Sequence, residues 1–593
     1  LVGSGASVWA ALDARGDVNA ATEQIDRSVE LFRNGNEASA QRILAQAIES
    51  LESADDTVTK PWLRLSRFVP VVGHQITALQ TLTGEGLDTA NSALAVLEDL
   101  DRSALTIDSG SIDVEAVSAL ESVVVEFAEV AEGSTAAIEG LDSPWLLEPL
   151  SDAVEDAQVE IAKVSKQATR AADAVQLAPD MFGASGPRNH LVLFATPAEL
   201  RGTVGLVGNW ALLQANAGAV ELVGVGRADE LSIPPGQSSF QLVEPMEYVE
   251  RYGSEATSSS FPDITLSPDF PDVASVGAQL YQESTGTPID TVLLADPHVM
   301  VALLEITGPI TVAQITLSAD DALDFLLLGQ YEQFPSDEAR VAFLGQLLAA
   351  TFTRLLEVDF PDPWDLDEIF AEVVKQERLV IAALDPEEQE LLTDLGIDGG
   401  FPTSEGDLLS VITQNSGQNK IDTFLQREIS YDVALDAFDG RVDSVVTVGR
   451  SNLADDPNLP APVVTNNDQG FPRGTNVSEI TVYTPLVLEA GTVDGESVGF
   501  QGFEQFGVRG YSALVEIPPG ATVTVVFELS GPLDLSERYF LRMPVQPTVL
   551  PDQIELRVAA SDGVEVAGRS SPWTETVTTS ADVEVSLALS PGG

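Results

Sequence analysis

The spacing of apolar residues changes twice along this chain of 593 residues, and that change limits the folds it can adopt. In the first part, apolar residues recur every three or four positions, the period of an amphipathic helix, over four stretches: 19–51, 76–100, 114–141 and 146–177. From residue 419 onward they alternate with polar residues, the period of a strand, in short runs divided by Gly, Pro and Asn. The chain therefore begins as helices and ends as β-structure.

Between these two parts, strand-like and helix-like runs follow one another. Strands are predicted at 190–195, 209–214, 220–225, 289–295 and 408–413, and helices at 273–284, 299–306, 336–358, 361–384 and 386–395. This alternation is typical of an α/β sandwich. We predict a multidomain α+β protein with an antiparallel helical bundle at 1–178, an α/β core at 179–418 and an immunoglobulin-like β-sandwich at 419–593.

The charge and the absence of cysteine exclude several classes of function. The chain has 93 acidic and 29 basic residues, a net charge of −64, and such a surface repels both nucleic acid and anionic lipid headgroups as broad-surface partners. The acidity is explained either by adaptation of the surface to salty water, as in halophiles, or by binding of divalent cations. No Asp-x-Asp-x-Asp-Gly loop occurs, which favours the first explanation. With no cysteine, thiolate chemistry and cysteine-bound metals are excluded.

The first residues indicate where the protein is located. The opening run from Leu1 to Leu12 is too short and too rich in Gly and Ser to cross a bilayer, which takes about 20 apolar residues. We expect an N-terminal membrane helix to precede it. The remainder of the chain is then expected in water on one side of the membrane.

Charged residues follow the first predicted strand, where functional sites often lie. Glu199 and Arg201 form a Glu-Leu-Arg turn behind that strand, with glycines after it, and Asp296-Pro297 begins a predicted helix. A purely structural interpretation is also open. In that interpretation Glu199 and Arg201 pair with neighbours to fix the turn, and Asp296 caps the helix.

These motifs, in this order, resemble the bacterial domain-of-unknown-function family 4012. The resemblance is carried by the Glu-Leu-Arg turn, by the segment from Asp290 to Pro309, by Tyr331-x-x-Phe334 and by the Asn415 to Lys420 segment before the sandwich. It implies a cell-envelope protein on the extracellular face of the cytoplasmic membrane, with one N-terminal membrane helix and no established activity.

The core is also similar to the LytR-CpsA-Psr envelope enzymes, which transfer a glycopolymer from a polyprenyl pyrophosphate carrier. This similarity implies that Arg201 and Arg227 bind phosphate oxygens, and that Asp229 and Asp296 hold magnesium. It also implies a cell-wall glycopolymer or a lipid-linked glycan as partner. The supply of basic residues is small for a pyrophosphate, with four arginines and no lysine between Arg188 and Ile310.

The sequence is compatible with three functions, which make different predictions about the structure. The first is a structural or ligand-binding component of the cell envelope, without a catalytic residue or a required cofactor. The second is a magnesium-dependent phosphotransferase, which requires an apolar pocket with Arg201, Arg227 and an aspartate at its mouth. The third is a sugar-binding module, for which Trp573 and Tyr511 are the aromatic candidates.

Overall fold

A computed structural model describes residues 2–60, 72–100, 106, 110–141, 143–233, 240–242, 244–253, 260–334, 336–358, 363–403, 406–436, 439–465, 470–535, 538–561, 563–569 and 572–591. Helices come first and β-sheets fill the C-terminal half, which confirms the predicted order of a multidomain chain. None of the helices within these residues is long and apolar enough to cross a membrane.

Five long helices form the N-terminal part: α1 (Val2–Arg33), α2 (Glu37–Val58), α3 (Val72–Asp99), α4 (Val114–Glu139) and α5 (Glu148–Met181). Hydrogen bonds between successive helices show that neighbours run antiparallel. Ser53 of α2 donates to Asp17 of α1, and Ser28 of α1 donates to the Ala40 carbonyl oxygen. Thr83 of α3 donates a hydrogen bond to Asp55 of α2.

The single helix predicted over 19–51 is wrong, because the chain reverses between α1 and α2. The turn lies at 34–36, and Gly35 adopts a φ of 74° there. A left-handed backbone conformation favours glycine, which has no Cβ to clash. The apolar spacing continues on both sides of this turn, so spacing alone does not reveal it.

The middle of the chain is built on a five-stranded sheet with the order β3-β2-β1-β4-β7. The strands of this region are β1 (Arg188–Thr196), β2 (Leu206–Asn216), β3 (Ala219–Arg227), β4 (Thr291–Ala295), the hairpin β5 (Ile310–Val312) and β6 (Ile315–Leu317), and β7 (Leu379–Ala383). Only β1 and β4 are parallel among the pairs of this sheet. The strands predicted at 190–195, 209–214 and 220–225 are β1, β2 and β3.

Helices cover both faces of the sheet. They are α6 (Met246–Tyr252), α7 (Phe270–Thr285), α8 (Pro297–Thr307), α9 (Ala319–Asp324), α10 (Gln330–Gln333), α11 (Asp337–Leu355), α12 (Pro363–Lys375) and α13 (Pro386–Leu395). Because side chains alternate along a strand, Leu191 and Leu193 of β1 pack in one cluster with α7. Val192, on the other face, packs in a cluster with Phe352 of α11.

The helix predicted over 361–384 is wrong in its second half. Residues 361 and 362 lie outside the described part of the chain, α12 ends at Lys375, and residues 379–383 form β7, antiparallel to β4. The sequence Leu379-Val380-Ile381-Ala382-Ala383 is a short apolar run. Such a run fits a buried helix or a buried strand equally well, and pairing with β4 decides between them.

The C-terminal β-rich part, residues 407–591, contains fifteen described strands, one short α-helix, α14 (Ala461–Val464), and a 3-10 turn, Ile421–Phe424. The strands are β8 (Asp407–Leu408), β9 (Ser410–Asn415), β10 (Leu425–Asp436), β11 (Arg441–Asn452), β12 (Asn476–Thr484), β13 (Val487–Val493), β14 (Glu496–Ser497), β15 (Gln501–Gln505), β16 (Val508–Ile517), β17 (Thr522–Pro532), β18 (Arg538–Met543), β19 (Asp552–Ala560), β20 (Val564–Val566), β21 (Trp573–Thr579) and β22 (Val583–Pro591).

These strands form one seven-stranded and two four-stranded sheets that share a large apolar core. Ile429 of β10, Ile480 of β12 and Leu541 of β18 each come from a different sheet and belong to this core. The strand predicted at 408–413 is β9, which pairs with β12 and not with the five-stranded sheet. The β-structure of the C-terminal half therefore begins before residue 419.

Candidate functional site

A cavity of about 270 Å³ lies at the edge of the five-stranded sheet where β1 and β4 end. Because these two strands are parallel, their carboxyl ends meet at the same edge, and this is where ligands commonly bind in α/β sheets. The walls are formed by the ends of β1 and β4, the start of β2, the helices α8 and α11, and the helical segment 319–333. Lys420, which follows β9, completes the wall.

The inner wall is mainly apolar. Leu344, Leu347 and Leu348 of α11 line the cavity at helical spacing, so they lie on one face of that helix. Phe194 of β1 and Met300 of α8 line it from the sheet side. Such a wall favours the hydrocarbon part of a ligand.

An irregular helical turn shapes the third side of the cavity. The segment 319–333 is one continuous helix in which α9 and α10 are joined by a π-helical turn, Phe325–Gly329. Leu326, Gln330 and Tyr331 line the cavity from this segment. Single π-helical turns are rare and occur frequently at functional sites.

Basic residues are a larger share of the charged residues at the cavity than in the chain as a whole. Three of its 23 lining residues are basic (Arg227, Arg340 and Lys420), and two are acidic (Asp229 and Asp296). The whole chain has 29 basic against 93 acidic residues. Each of the three cations is paired with a carboxylate, Arg227 with Asp229, Arg340 with Asp337 and Lys420 with Glu199, so an anionic ligand would have to share or replace these partners.

Tyr331 and Arg340 form one side of this mouth. The Arg340 guanidinium lies 4.6 Å from the centre of the Tyr331 ring, and its Nη1 donates to Asp337 Oδ1 at 2.7 Å. Burial raises the pKa of the Tyr331 hydroxyl, although the charges of Lys420 and Arg340 oppose the shift. The hydroxyl therefore stays protonated at neutral pH and is available as a donor.

Arg201 does not reach the cavity, because it is buried and its donors are used within the protein. Its guanidinium donates to Asp263 from Nε and Nη2, at 3.0 and 2.8 Å, and to Glu199 from Nη2 at 3.0 Å. Its Nη1 donates to the carbonyl oxygens of Leu200 and Asn415, at 3.0 and 3.1 Å. Its five N–H groups are thereby occupied. The Glu-Leu-Arg turn is held in this way against the end of β9.

Glu199 connects this turn to the cavity. Its carboxylate accepts from Arg201 on one oxygen and from Lys420 Nζ on the other, and its side chain is 3 % exposed. Asp422, close by, accepts from the Leu200 amide at 3.1 Å and from Arg450 at 2.6 Å. The two motifs around residues 199–201 and 415–420 thus form one buried polar junction between the sheet and the C-terminal half.

Arg227 and Asp229 lie at the cavity and pair with each other. Arg227 donates from Nε and Nη2 to the two carboxylate oxygens of Asp229, both at 2.8 Å. Their side chains are 44 % and 55 % exposed, so the pair contributes little to stability, about 0–1 kcal/mol. The Arg227 guanidinium is free to exchange this partner for a ligand.

Asp296 lines the cavity, but its carboxylate is satisfied by the protein. It caps α8 by accepting from the His298 amide at 2.7 Å, and it accepts from His298 Nδ1 at 3.0 Å and from Arg378 Nη1 at 2.7 Å. Burial alone would raise the pKa of this carboxyl, but His298 and Arg378 outweigh burial and lower it. Arg378, which is 2 % exposed, makes the aspartate a structural anion.

The predicted magnesium ligands do not fit a magnesium site. Both carboxylates are bound by arginines, Asp229 by Arg227 and Asp296 by Arg378, whereas magnesium needs oxygens free to face it. In the part of the chain that the structure describes, no group of three or more His, Asp or Glu could hold a metal ion. We derive no chemistry through a metal.

Several residues of the cavity are absent from the sequence-based prediction. Arg340 and Gln330 carry no recognisable motif, Lys420 ends a motif to which no site role was assigned, and only the fold brings the three next to β1. A signal was available for α11, because its leucines at 344, 347 and 348 repeat with helical spacing near Tyr331. The interaction between Lys420 and Glu199, which are 221 residues apart, leaves no such signal in the sequence.

A second group of acidic residues, away from the cavity, is partly or fully buried near α7. Burial raises the pKa of Asp272 to about 7 and that of Asp269 to about 6, and neighbouring carboxylates add to both shifts. Burial and the charges of Asp582 and Asp398 raise the pKa of Glu377 to about 8. These three groups bind protons more tightly in the folded chain than in the unfolded chain.

We expect the free energy of unfolding to fall as the pH rises from 5 to 9. A raised pKa contributes stability that is present below the unfolded value of about 4 and is lost as the pH passes through the folded values of about 6 to 8. Urea unfolding at a series of pH values measures this. Asp272→Asn, which cannot ionise, is expected to flatten the profile, while the exposed Asp229→Asn leaves it unchanged. If the free energy of unfolding of Asp272→Asn depends on pH as that of the wild type does, Asp272 does not contribute a raised pKa.

Comparisons with solved structures and curated proteins add little to this description. No curated protein matches the chain. A mutant M1 zinc metallopeptidase from Deinococcus radiodurans, bound to a Tyr-Ser-Ala substrate, is similar at 12 % identity and a TM-score of 0.16, over 28 % of this chain and 42 % of that one. A two-domain M1 zinc metallopeptidase mutant bound to L-tryptophan is similar at 11 % identity and a TM-score of 0.16, over 32 % and 44 %.

The chain spans less than half the length of each of these two structures, and TM-scores this low carry no argument about fold or site. A family comparison is more informative, because it covers most of the cavity's walls. Residues 185–331, from the start of β1 to Tyr331, match the family described as "Protein of unknown function (DUF4012)", which supports the predicted resemblance to that family over this stretch.

Proposed function

We propose that this protein is a ligand-binding component of the cell envelope, and that its cavity binds an amphiphile with an anionic head. The observation that carries the proposal is the lining of the cavity, where three cationic side chains, each paired with a carboxylate, stand at the mouth of a mainly apolar interior. An apolar tail would lie among the leucines of α11. The head would lie at Arg227, Arg340 and Lys420.

The location in the envelope belongs to the same proposal. It is supported by the family resemblance over residues 185–331, and it has this part of the chain outside the cytoplasmic membrane. We also propose a LytR-CpsA-Psr-like core and an immunoglobulin-like C-terminal sandwich. Helices on both faces of the five-stranded sheet support the first, and three mostly antiparallel sheets around one apolar core support the second.

A phosphotransferase acting on a lipid-linked glycan is the second candidate. It is favoured by one observation, that Arg227, Asp229 and Asp296 line the same apolar cavity. Against it stand the burial of Arg201 and the pairing of Asp296 with Arg378, which leave few groups to act on a phosphate. Turnover of a polyprenyl pyrophosphate that depends on magnesium and is lost in Asp229→Asn would establish this function in place of binding alone.

Decyl phosphate is a suitable probe of binding because it combines a hydrocarbon chain with a phosphate. We expect it to bind the wild-type protein, and we expect Arg340→Ala and Arg227→Ala each to weaken binding roughly tenfold or more, since a hydrogen bond to a charged group contributes about 1.5–3 kcal/mol. Isothermal titration calorimetry measures both effects. The affinity should also fall with added salt.

Arg441→Ala is the matched control, because Arg441 forms an exposed pair with Asp443 on β11, away from the cavity. It should bind decyl phosphate as the wild type does. Leu344→Trp, which narrows the cavity, should abolish binding without unfolding the chain. Equal affinity in all four variants would mean that decyl phosphate binds elsewhere and would refute the proposal.

A further inference from the structure

Tyr331, at the mouth of the cavity, has a hydroxyl group that no described residue binds. The Arg340 guanidinium lies 4.6 Å from the centre of its ring, and the ring packs against the apolar core of the C-terminal half. Within the part of the chain that the structure describes, no hydrogen bond joins the hydroxyl to another residue. The protein therefore fixes the position of this hydroxyl without using it as a donor.

The hydroxyl is accessible, and it lies beside two of the cations of the mouth. The described polar atoms that lack a partner and are also closed to solvent do not include the Tyr331 hydroxyl, so solvent reaches it. Tyr331 lines the cavity, and so do Lys420 and Arg340. The charges of these two cations act on the hydroxyl, as do those of their carboxylate partners, Glu199 and Asp337. The open side of the hydroxyl is therefore the mouth of the cavity.

An anionic head at this place meets donors that it can share with the protein. Lys420 uses one of its three N–H groups on Glu199, and among the described residues Arg340 uses one of its five on Asp337. Both can therefore donate to a ligand and keep their carboxylates. The Tyr331 hydroxyl gives up only water, so its hydrogen bond to a ligand costs no contact within the protein.

We propose that Tyr331 is a ligand-binding residue of the cavity, and that its hydroxyl donates a hydrogen bond to an oxygen of the anionic head, beside Lys420 and Arg340. This inference rests on the proposed function, since it concerns the same ligand. It adds that a neutral donor holds the head together with the charges, and that the head carries an oxygen acceptor such as phosphate. Salt screens the attraction of exposed charges strongly, but screens a bond between buried atoms in contact much less.

The test is Tyr331→Phe, which removes the hydroxyl and keeps the ring and its contact with Arg340. We expect this variant to bind decyl phosphate about tenfold more weakly than the wild type, because a hydrogen bond to a charged group is lost. This factor should be the same at about 0.1 and 1 M salt, whereas the factor lost in Arg227→Ala should shrink as salt is added. Isothermal titration calorimetry at both salt concentrations measures the two factors.

Tyr331→Phe should also resist urea as the wild type does, because no described residue loses a hydrogen bond. Tyr511→Phe is the matched control, since the Tyr511 hydroxyl donates to the Leu486 carbonyl oxygen at 3.5 Å and Tyr511 does not line the cavity. It should bind decyl phosphate as the wild type does.

Three results would overturn the inference. If Tyr331→Phe binds decyl phosphate as tightly as the wild type, or is less stable in urea, or loses affinity by a factor that shrinks with salt, the hydroxyl does not hold the head, while the binding function stands. If decyl phosphate does not bind the wild type at all, the proposed function fails, and this inference fails with it.

Discussion

Arg201→Met is expected to lower the free energy of unfolding by about 3–5 kcal/mol, because it breaks a buried ion pair from one side. The guanidinium holds Glu199, Asp263 and two carbonyl oxygens together. Without it, the buried Glu199 carboxylate keeps Lys420, the Leu200 carbonyl oxygen keeps the Asn415 amide, and the Asn415 carbonyl oxygen loses the guanidinium. Urea unfolding followed by circular dichroism measures the change.

Arg227→Met is the matched control, since it removes the other arginine that the sequence assigns to phosphate. Its pair with Asp229 is exposed, so the expected change in stability is only about 0–1 kcal/mol. Arg201→Met should therefore lose stability, whereas Arg227→Met should keep its stability and bind the ligand more weakly. A stable Arg201→Met protein with weakened binding would show that Arg201 contacts the ligand.

Asp296→Asn is expected to cost a similar amount, about 3–5 kcal/mol, because it leaves Arg378 as an uncompensated buried cation. Asparagine can still cap α8, so the loss reports on the charge and not on the helix end. The stability of the wild type should be the same with magnesium and with a chelator. Chemical denaturation under both conditions measures this.

Asp229→Asn changes the exposed partner of Arg227, and this variant should be as stable as the wild type both with magnesium and with a chelator. The interpretation of Asp296 as a structural anion would be contradicted by a wild-type protein that magnesium stabilises and an Asp296→Asn protein that it does not. That pattern would restore Asp296 as a metal ligand.

Much of the fold could be predicted from local patterns. The β2–β3 hairpin is one example. Its turn residues Ala217 and Gly218 both adopt a positive φ. A short segment of alanine, asparagine and glycine between two strand-like runs is typical of such a turn. The start of α8 is another, since Asp296-Pro297 combines a capping residue with a proline suited to the first helical turn. These features depend only on residues close in sequence.

The parts that could not be predicted depend on distant partners. Whether 379–383 is helix or strand is settled by pairing with β4, almost ninety positions earlier in the chain. β9 follows the α/β core in sequence, yet it pairs with β12. In both cases the local sequence is compatible with more than one structure, and only the packing of the whole domain decides.

In the candidate site, too, some features follow from the local sequence and others depend on distant partners. The sequence identified Arg227, Asp229 and Asp296, and the structure places all three at one cavity, but Arg201 and Glu199 lie in the buried junction behind it. An arginine after a strand can bind a ligand or hold the fold together. The difference lies in Asp263 and in the Asn415 carbonyl oxygen, which the fold brings to Arg201 from far along the chain.

The most direct test of the account is a crystal structure of the protein with bound decyl phosphate. We expect the hydrocarbon chain to lie among Phe194, Leu344 and Leu347, with the phosphate at Arg227 and Arg340 and with Arg201 still bound to Glu199 and Asp263. A phosphate on Arg201, or an alkyl chain outside this cavity with the cavity closed by side chains, would contradict the account.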